Sequence, residues 1–436
     1  MKKFLKKLIP KFIIKFYHWL LAFLANIFYG FPSRRLTVIG VTGTTGKSTT
    51  VNLIAQVLEE AGHQVGLTST FNYRIGKKEN INCSKMTMPG RFALQRMLKK
   101  MFTAGCSYAV VETSSEGIAQ YRHWGIDYDL AVFTNLSPEH IESHGSFQLY
   151  KQAKGKLFQS LSGSKRKTEK ISVVNLDDQE ANYFLNFWAD QKWGYTTNQE
   201  LVTNNREIKV VTAKNISLES WGSIFVIDDT KFVFNLVGLF NIYNALAAIT
   251  VGLSLGIPLK TISQGLSRVK EMPGRLQEID QGQNFKVIVD YAHEPKSLEN
   301  VYSALAKTAT GKIIAVLGSC GGGRDKARRP VLGKLAAQYA DLVIVTNEDP
   351  YDEDPQAIID QVAAGASQVG KQLEKDLFKI LDRRQAIKKA LALAGRDDLV
   401  IITGKGAEQC IMSKGGQKIP WDDRQVVTEE ITEKTA

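Results

Sequence analysis

Beyond residue 35 the chain alternates short apolar runs with longer stretches whose apolar positions recur every three or four residues. The runs at 36–40, 108–112, 130–134 and 171–175 predict strands covered on both faces, since a half-exposed strand would alternate. The spacing at 47–61 and 91–103 predicts helices between them. This rhythm indicates an α/β domain built on a largely parallel sheet. The segment 200–237, rich in β-branched and polar residues and without a helical period, suggests an antiparallel appendage, followed by an apolar helix at 241–255. A second series starts near Pro273, with strands predicted at 286–290, 312–317, 341–346 and 398–403. A domain boundary is placed at Met272-Pro273-Gly274, and neither an internal repeat nor a low-complexity tract is found.

The N-terminus follows another pattern. Lys3, Lys7, Lys11 and Lys15 recur every four residues, so a helix aligns them in one stripe, apart from most of Phe4, Leu5, Leu8, Phe12, Ile13 and Phe16. Pro10 is expected to kink or divide that helix. Residues 16–33 carry no formal charge and include Trp19, Phe23, Phe28, Tyr29 and Phe31, together with the interrupting His18, Asn26, Gly30 and Pro32. Three readings stay open: a helix lying in the membrane interface, a short span, and a helix packed on the protein's own core. Arg34 and Arg35 balance the positive charge on the far flank, so charge asymmetry does not orient a span.

Composition changes this picture little. The 436 residues, 44% hydrophobic and 23% charged, are ordinary globular material. The net charge of +12 draws half its excess from Lys2, Lys3, Lys6, Lys7, Lys11 and Lys15, and no nucleic-acid-binding motif accompanies it; nucleic acid is not an expected partner. Cys83, Cys106, Cys320 and Cys410 form no CxxC pair, which predicts reduced thiols in a cytoplasmic setting.

The chemistry starts at GVTGTTGKST, residues 40–49. The ordinary Walker A loop has a glycine where Val41 stands, so the stretch is either a phosphate loop of another kind or a tight strand-to-helix turn. As a phosphate loop, Gly43 and Gly46 let backbone N–H groups converge on an anion at a helix N-terminus. Lys47 then reaches the terminal phosphates, and the Ser48 hydroxyl binds Mg²⁺.

Other blocks decide between the two. TMPG (87–90), VETSSEG (111–117), FTNLSPEH (133–140), HG (144–145), YKQAK (150–154) and VNLDD (174–178) follow in order. FNIYNA (240–245), PGR (273–275), DYAH (290–293), GRD (323–325) with Arg329-Pro330, and GKGAE (404–408) complete the set. From about residue 36 to 427 the chain thereby resembles the Mur ligase family, the ATP-dependent amide-forming enzymes of peptidoglycan assembly, and within it most closely the MurE-type tripeptide synthetases.

That resemblance implies a basic hydrophobic N-terminal helix (1–35), a central P-loop ATPase domain (36–272), and a C-terminal Rossmann-like α/β domain (273–436) that binds the incoming amino acid. It implies ATP held by Gly43, Thr44, Thr45, Gly46, Lys47, Ser48 and Thr49, with Asn244, Arg275 and Asp290 contributing from elsewhere. It further implies two Mg²⁺ ions on Ser48, Glu112, His140 and Lys154, with Lys154 carbamylated to N6-carboxylysine. Lys47, Glu112, His140 and Lys154 take the catalytic roles. Substrate contacts fall on Thr87, Ser114, Ser115, Arg122, His144, Arg324, Asp349, Tyr351, Gly404 and Glu408. The implied reaction activates a substrate carboxylate as an acyl phosphate, which the amine of an amino acid then attacks. The implied partners are ATP, an amino acid and a muropeptide precursor, with membrane-surface contact through residues 1–33 and a monomeric or weakly oligomeric state.

Three departures qualify the match. MurE-type enzymes carry an N-terminal domain that grips the UDP-linked sugar, whereas one helix and a hydrophobic turn precede the loop here, so an acceptor that is lipid-linked or otherwise independent of UDP is considered. Members adding meso-diaminopimelate carry Asp-Asn-Pro-Arg, where this chain has Glu348-Asp349-Pro350-Tyr351. Without that arginine meso-diaminopimelate is disfavoured unless Arg324 or Arg328 compensates. The acidic run Glu348, Asp349, Asp352, Glu353 and Asp354 suits a distal amine, as in lysine or another diamino acid, and equally a solvated acidic loop. Glu116 and Ala407 also replace usual histidines. The alternatives are a folylpolyglutamate, cyanophycin or poly-γ-glutamate synthetase, a ligase acting on lipid-linked precursor, and a non-catalytic membrane scaffold.

Overall fold

The computed structural model describes residues 10–138, 144–163, 167–201 and 207–435. Helix Lys11–Tyr29 leads into a short 3₁₀ turn and then β1 (Thr37–Thr42). The central sheet adds β2 (Val65–Thr68), β3 (Asn72–Ile75), β4 (Lys78–Ile81), β5 (Tyr108–Glu112), β6 (Leu130–Phe133), β7 (Ile171–Asn175), β8 (Gln191–Thr196) and β9 (Ile208–Thr212). Its order is β4-β3-β2-β5-β1-β6-β7-β8-β9, parallel apart from the β2-β3-β4 meander. A small antiparallel sheet follows, of β10 (Lys214–Leu218), β11 (Ser223–Ile227) and β12 (Thr230–Phe234).

The second domain contains β13 (Gln277–Glu278), β14 (Lys286–Val289), β15 (Ile313–Leu317), β16 (Leu342–Thr346), β17 (Leu377–Ile380) and β18 (Leu399–Ile402), in the order β13-β14-β18-β15-β16-β17. Only β13 runs antiparallel to its neighbour. A hairpin of β19 (Cys410–Met412) and β20 (Lys418–Pro420) precedes the last helix, Asp423–Thr435.

The apolar runs become strands because each sheet is covered by helices on both sides. One face of the central sheet packs Val41, Val110 and Val132 against helices Lys47–Glu60 and Leu239–Ser254, the other packs Val111, Ala131 and Phe133 against Leu157 and Phe158. The second sheet is likewise enclosed between two apolar clusters. The expected appendage at 200–237 is corrected in part. β9 extends the parallel sheet, pairing Val210 with Gly194, and only β10–β12 form the separate antiparallel unit. One strand's backbone groups are better satisfied on an open sheet edge than in a detached ribbon.

The N-terminal helix docks by one stripe. Ala22, Ala25 and Asn26 are buried, and Trp19 meets Trp124 edge-on at 5.6 Å. Asn26 Nδ2 donates to the Trp124 carbonyl at 3.1 Å. Gly125, at φ +76°, leaves no room for a β-carbon against the Asn26 amide. Gly30 in the left-handed region ends the helix. Pro10 stands at its N-cap; the kink expected there concerns residues 1–9, which lie outside the described residues along with Lys2, Lys3, Lys6 and Lys7. The opposite face keeps Phe12, Phe16, Tyr17, Leu24, Ile27 and Phe28 exposed, Phe28 at 74%.

Candidate active site

The loop after β1 is shaped by its neighbours before any ligand is considered. Thr44 N donates to the Asn135 carbonyl at 2.8 Å, Thr45 N to Asn135 Oδ1 at 2.9 Å, and Thr134 Oγ1 to the Thr45 carbonyl at 2.8 Å. All these partners follow β6, the strand beside β1. A β-carbon on Gly43 would collide with Thr134, and one on Gly46 with Asn244. Gly46, at φ +78°, starts helix Lys47–Glu60, whose first N–H groups therefore open toward the loop.

At the mouth of this loop Ser48 Oγ donates to Glu112 Oε2 at 2.8 Å. Glu112 ends β5 and is 1% exposed; it also accepts from Thr70 N at 2.7 Å and from Thr70 Oγ1 at 3.0 Å. Thr70 Oγ1 in turn donates to Thr87 at 3.1 Å. Lys47 Nζ folds back to the Thr44 carbonyl at 2.8 Å. Lys154, 1% exposed on helix Phe147–Gly163, donates from Nζ to the Gly43 carbonyl at 2.6 Å and lies over the Tyr150 ring.

These groups border one cleft between the two domains. Thr44, Thr45, Gly46, Lys47, Ser48, Glu112, Lys154, Thr87, Ser114, Ser115 and Arg122 come from the central domain, and Arg275 and Arg324 from the C-terminal one. Ser114 caps helix Ser115–Ala119 by accepting from Gly117 N at 3.2 Å. Arg122 donates to Gln120 Oε1 at 2.8 Å and to the Met88 carbonyl, and burial lowers its pKa. Next to it a larger cleft is lined by Thr49, Asn135, Asn244, Arg275 and Asp290. Thr50 donates to Asn244 Oδ1 at 3.3 Å, so that residue braces the loop from beneath. Asp290 accepts from Leu276 N at 2.7 Å and Ala292 N at 2.6 Å, and its burial raises its pKa. Arg275 lies over the Tyr291 ring at 4.5 Å, and its charge opposes part of the burial effect on Asp290.

Several predicted residues stand apart from the main cleft. His144 shares a 3.1 Å hydrogen bond with Ser115 behind it, with a pKa lowered by burial and then by the Lys154 charge. Gly43 is enclosed under the loop. Asp349, Gly404 and Tyr351 support the floor of the C-terminal domain, and Glu408 borders a smaller cavity beside the cleft. A side chain at Gly404 would strike Glu348. Tyr351, at φ +53°, lies against Gly322, and burial raises its pKa to about 12. His140 lies outside the described residues.

The acidic run is not an open acidic loop. Glu348 accepts from Cys320 Sγ at 2.8 Å, Asp352 from Gly415 N at 2.9 Å, and Asp354 from Gln356 N at 3.0 Å at a helix start. Glu353 pairs with Arg329 at 2.9 Å, and Asp349 with Lys405 at 2.9 Å and Lys85 at 2.6 Å. Each carboxylate has an internal donor, although Glu348 Oε2 is enclosed without one and Asp352 and Asp354 are exposed. Sequence reasoning also passed over Asn135, Thr70, Lys85 and Lys405; Asn135 and Lys405 sit inside quoted blocks, whereas Thr70 and Lys85 carry no signal without the fold.

The donor set fits the groups the chemistry requires. Ser48 and Glu112 offer hard oxygens side by side, as Mg²⁺ prefers. Among the described residues no cluster of three or more His, Cys, Asp or Glu stands ready for a metal, so phosphate oxygens and water complete any ion's shell. The loop's amides and Lys47 suit a polyphosphate.

Family models agree with this geometry: the Mur ligase middle domain matches residues 41–252, and the Mur ligase glutamate ligase domain matches 274–406. The chain belongs to the Mur ligase family. It is 38% identical over 97% of its length, and 84% of the relative, to the UDP-N-acetylmuramoyl-L-alanyl-D-glutamate--2,6-diaminopimelate ligase of Bacillus cereus. It is 39% identical to a UDP-N-acetylmuramyl-tripeptide synthetase of a Roseiflexus species, over 92% of this chain and 80% of that one. A solved UDP-N-acetylmuramoyl-L-alanyl-D-glutamate--2,6-diaminopimelate ligase superposes with a TM-score of 0.60 at 29% identity, covering 92% of this Mur ligase and 79% of that chain.

Proposed function

We propose that this Mur ligase joins an amino acid to the carboxylate of a muropeptide precursor, driven by ATP, in peptidoglycan precursor synthesis. The observation that carries the reading is the meeting of the Lys47–Ser48–Glu112 constellation with Arg275 and Arg324 across one interdomain cleft. ATP supplies the phosphoryl group that turns the acceptor carboxylate into an acyl phosphate, with Mg²⁺ neutralising its charge. Lys47 would face the charge that accumulates on the transferred group, and Ser48 and Glu112 would hold the ion. Arg324 and Arg275 bring the second domain's positive charge to the same point, and closing the cleft excludes water. The division of labour follows the sheets, nucleotide on the central domain (36–272) and incoming amino acid on the C-terminal domain (273–436).

Lys154 is assigned a further role as N6-carboxylysine, which would convert a buried cation at the loop into an oxygen donor for a second Mg²⁺; His140 is assigned to the same ion from the family resemblance alone. Its near-complete burial supports this, since an unmodified ammonium is costly to enclose. Loss of turnover in Lys154→Ala, restored by added short carboxylates, tests it; failure of rescue removes the assignment.

The exposed apolar face of helix Lys11–Tyr29, flanked by the lysines of the N-terminus, supports a cytoplasmic enzyme resting on the inner face of the cell membrane, as a monomer or weak oligomer. Phosphate release from ATP, measured over an amino-acid panel with UDP-linked and lipid-linked acceptors, tests the reaction; no stimulation by any combination rejects it.

A further inference from the structure

Residues 1–58 and 80–111 contain no Asp or Glu, and their helices Lys11–Tyr29 and Arg91–Thr103 pack against each other. Helix Arg91–Thr103 exposes Phe92, Arg96, Lys99 and Lys100 at helical spacing, while Leu94, Gln95, Leu98 and Met101 are buried. At one end the Phe92 ring meets Phe28 at 6.4 Å and Tyr29 at 6.5 Å, in the last turn of the N-terminal helix. At the other, Arg35 and Lys99 lie over the Phe102 ring at 5.1 Å and 5.7 Å. The exposed apolar face of helix Lys11–Tyr29 therefore runs through Phe28 into a basic stripe.

Ala22, Ala25 and Asn26 fix the N-terminal helix along the ligase body, the placement of a helix that lies in an interface rather than crossing it. An apolar face alone would suit any apolar partner. The cations beside it single out a surface that is apolar within and negative at its rim, which is a bilayer with anionic headgroups. Nucleic acid matches the cations but leaves the aromatic and aliphatic face unaccounted for. The segment leading into helix Arg91–Thr103 also forms the Thr87–Met88 edge of the cleft. Phe92 follows Thr87 by no more than about 18 Å even along extended chain, so that edge lies close to this surface.

We propose that Arg35, Arg96, Lys99 and Lys100 bind the phosphates of anionic lipids while Phe28, Phe92 and the exposed face of helix Lys11–Tyr29 enter the interface. Two helices, and not the N-terminal one alone, dock the enzyme. This inference rests on the membrane reading above and adds to it a requirement for negative lipid charge.

Sedimentation of the full chain with vesicles of phosphatidylcholine, or of equimolar phosphatidylcholine and phosphatidylglycerol, tests it. The wild type is expected to bind the anionic vesicles roughly 100-fold more tightly, a preference that weakens as salt is raised. Arg96→Gln, Lys99→Gln and Lys100→Gln together lower the affinity for anionic vesicles at least tenfold and leave binding to neutral ones unchanged. ATP turnover on a soluble acceptor holds in that variant, since all three side chains are exposed. Exchange of the same residues for the other base, Arg96→Lys with Lys99→Arg and Lys100→Arg, retains the preference and supplies the comparison if the glutamine variant melts early. Equal binding of the wild type to both vesicles, or equal anionic affinity of wild type and glutamine variant, overturns the inference and leaves the apolar helix as the membrane contact. Tighter binding to a DNA duplex than to anionic vesicles also overturns it. No binding to either vesicle overturns the membrane reading and this inference together.

Discussion

Ser48 and Glu112 are joined by a 2.8 Å hydrogen bond that ties the first turn of one helix to the last residue of β5. On the proposed reading the pair is where a cation would link protein to phosphate, and Glu112 is held from behind by Thr70. Glu112→Gln keeps the shape and removes the charge. ATP turnover is expected to fall roughly 100-fold, with at least a tenfold rise in the Mg²⁺ concentration for half-maximal rate. A Mg²⁺ titration of initial rates checks this.

Lys47→Ala removes the cation of the loop but none of the bonds from Asn135 and Thr134 that shape it. Turnover is expected to drop roughly 1000-fold while the melting temperature changes little, because the helix cap is Gly46 and the loop is braced from β6. Phosphate release and a thermal melt, run on the same preparation, distinguish a catalytic loss from a folding defect.

Gly125→Ala forces a β-carbon into the Asn26 amide at a position whose φ is +76°. The N-terminal helix should undock at a cost of about 1–3 kcal/mol. Limited proteolysis between residues 29 and 36 reads this directly, with faster cleavage expected and an intact ligase body.

Phe12, Phe16 and Phe28 face away from the docked stripe. Changing all three to Glu is expected to reduce sedimentation with anionic vesicles more than tenfold, since each aromatic ring buried at an interface contributes on the order of 1–2 kcal/mol. Turnover on a soluble acceptor should stay as in the wild type.

His123 has its Nδ1 enclosed without a hydrogen-bond partner, and burial, aided by Lys156, lowers its pKa from 6.5 to about 4. Above pH 6.5 both the folded and the unfolded chain are neutral here and no stability is lost. Between pH 6.5 and 4 the unfolded chain takes up a proton that the folded chain refuses, so stability falls as the pH falls, by at most about 3 kcal/mol. Urea unfolding of wild type and His123→Asn at pH 7 and pH 5 should show a drop about 2 kcal/mol smaller in the variant.

The strands at 108–112 and 171–175 were legible residue for residue, because both faces of those strands are covered and their apolar runs are unbroken. β9 was assigned to the wrong sheet. Ile208, Val210 and Val211 read as strand, but which edge they join depends on β8, which has no apolar run of its own. The glycine loop and its contact with Glu112 were legible because the loop is local and Glu112 ends a strand beside it. The partners of the acidic run could not. Lys85 reaches Asp349 across 264 residues of chain, a relation that only the packing of the two domains creates.

The bonds from Asn135 and Thr134 have one more consequence. They hold residues 43–46 in the shape of an anion receptor with Lys47 already turned inward, so the conformational entropy of that loop is lost during folding and not at encounter. On the proposed reading nucleotide would meet a rigid receptor, and its arrival would exchange one partner of Lys47, the Thr44 carbonyl, for a phosphate oxygen without recasting the backbone around it.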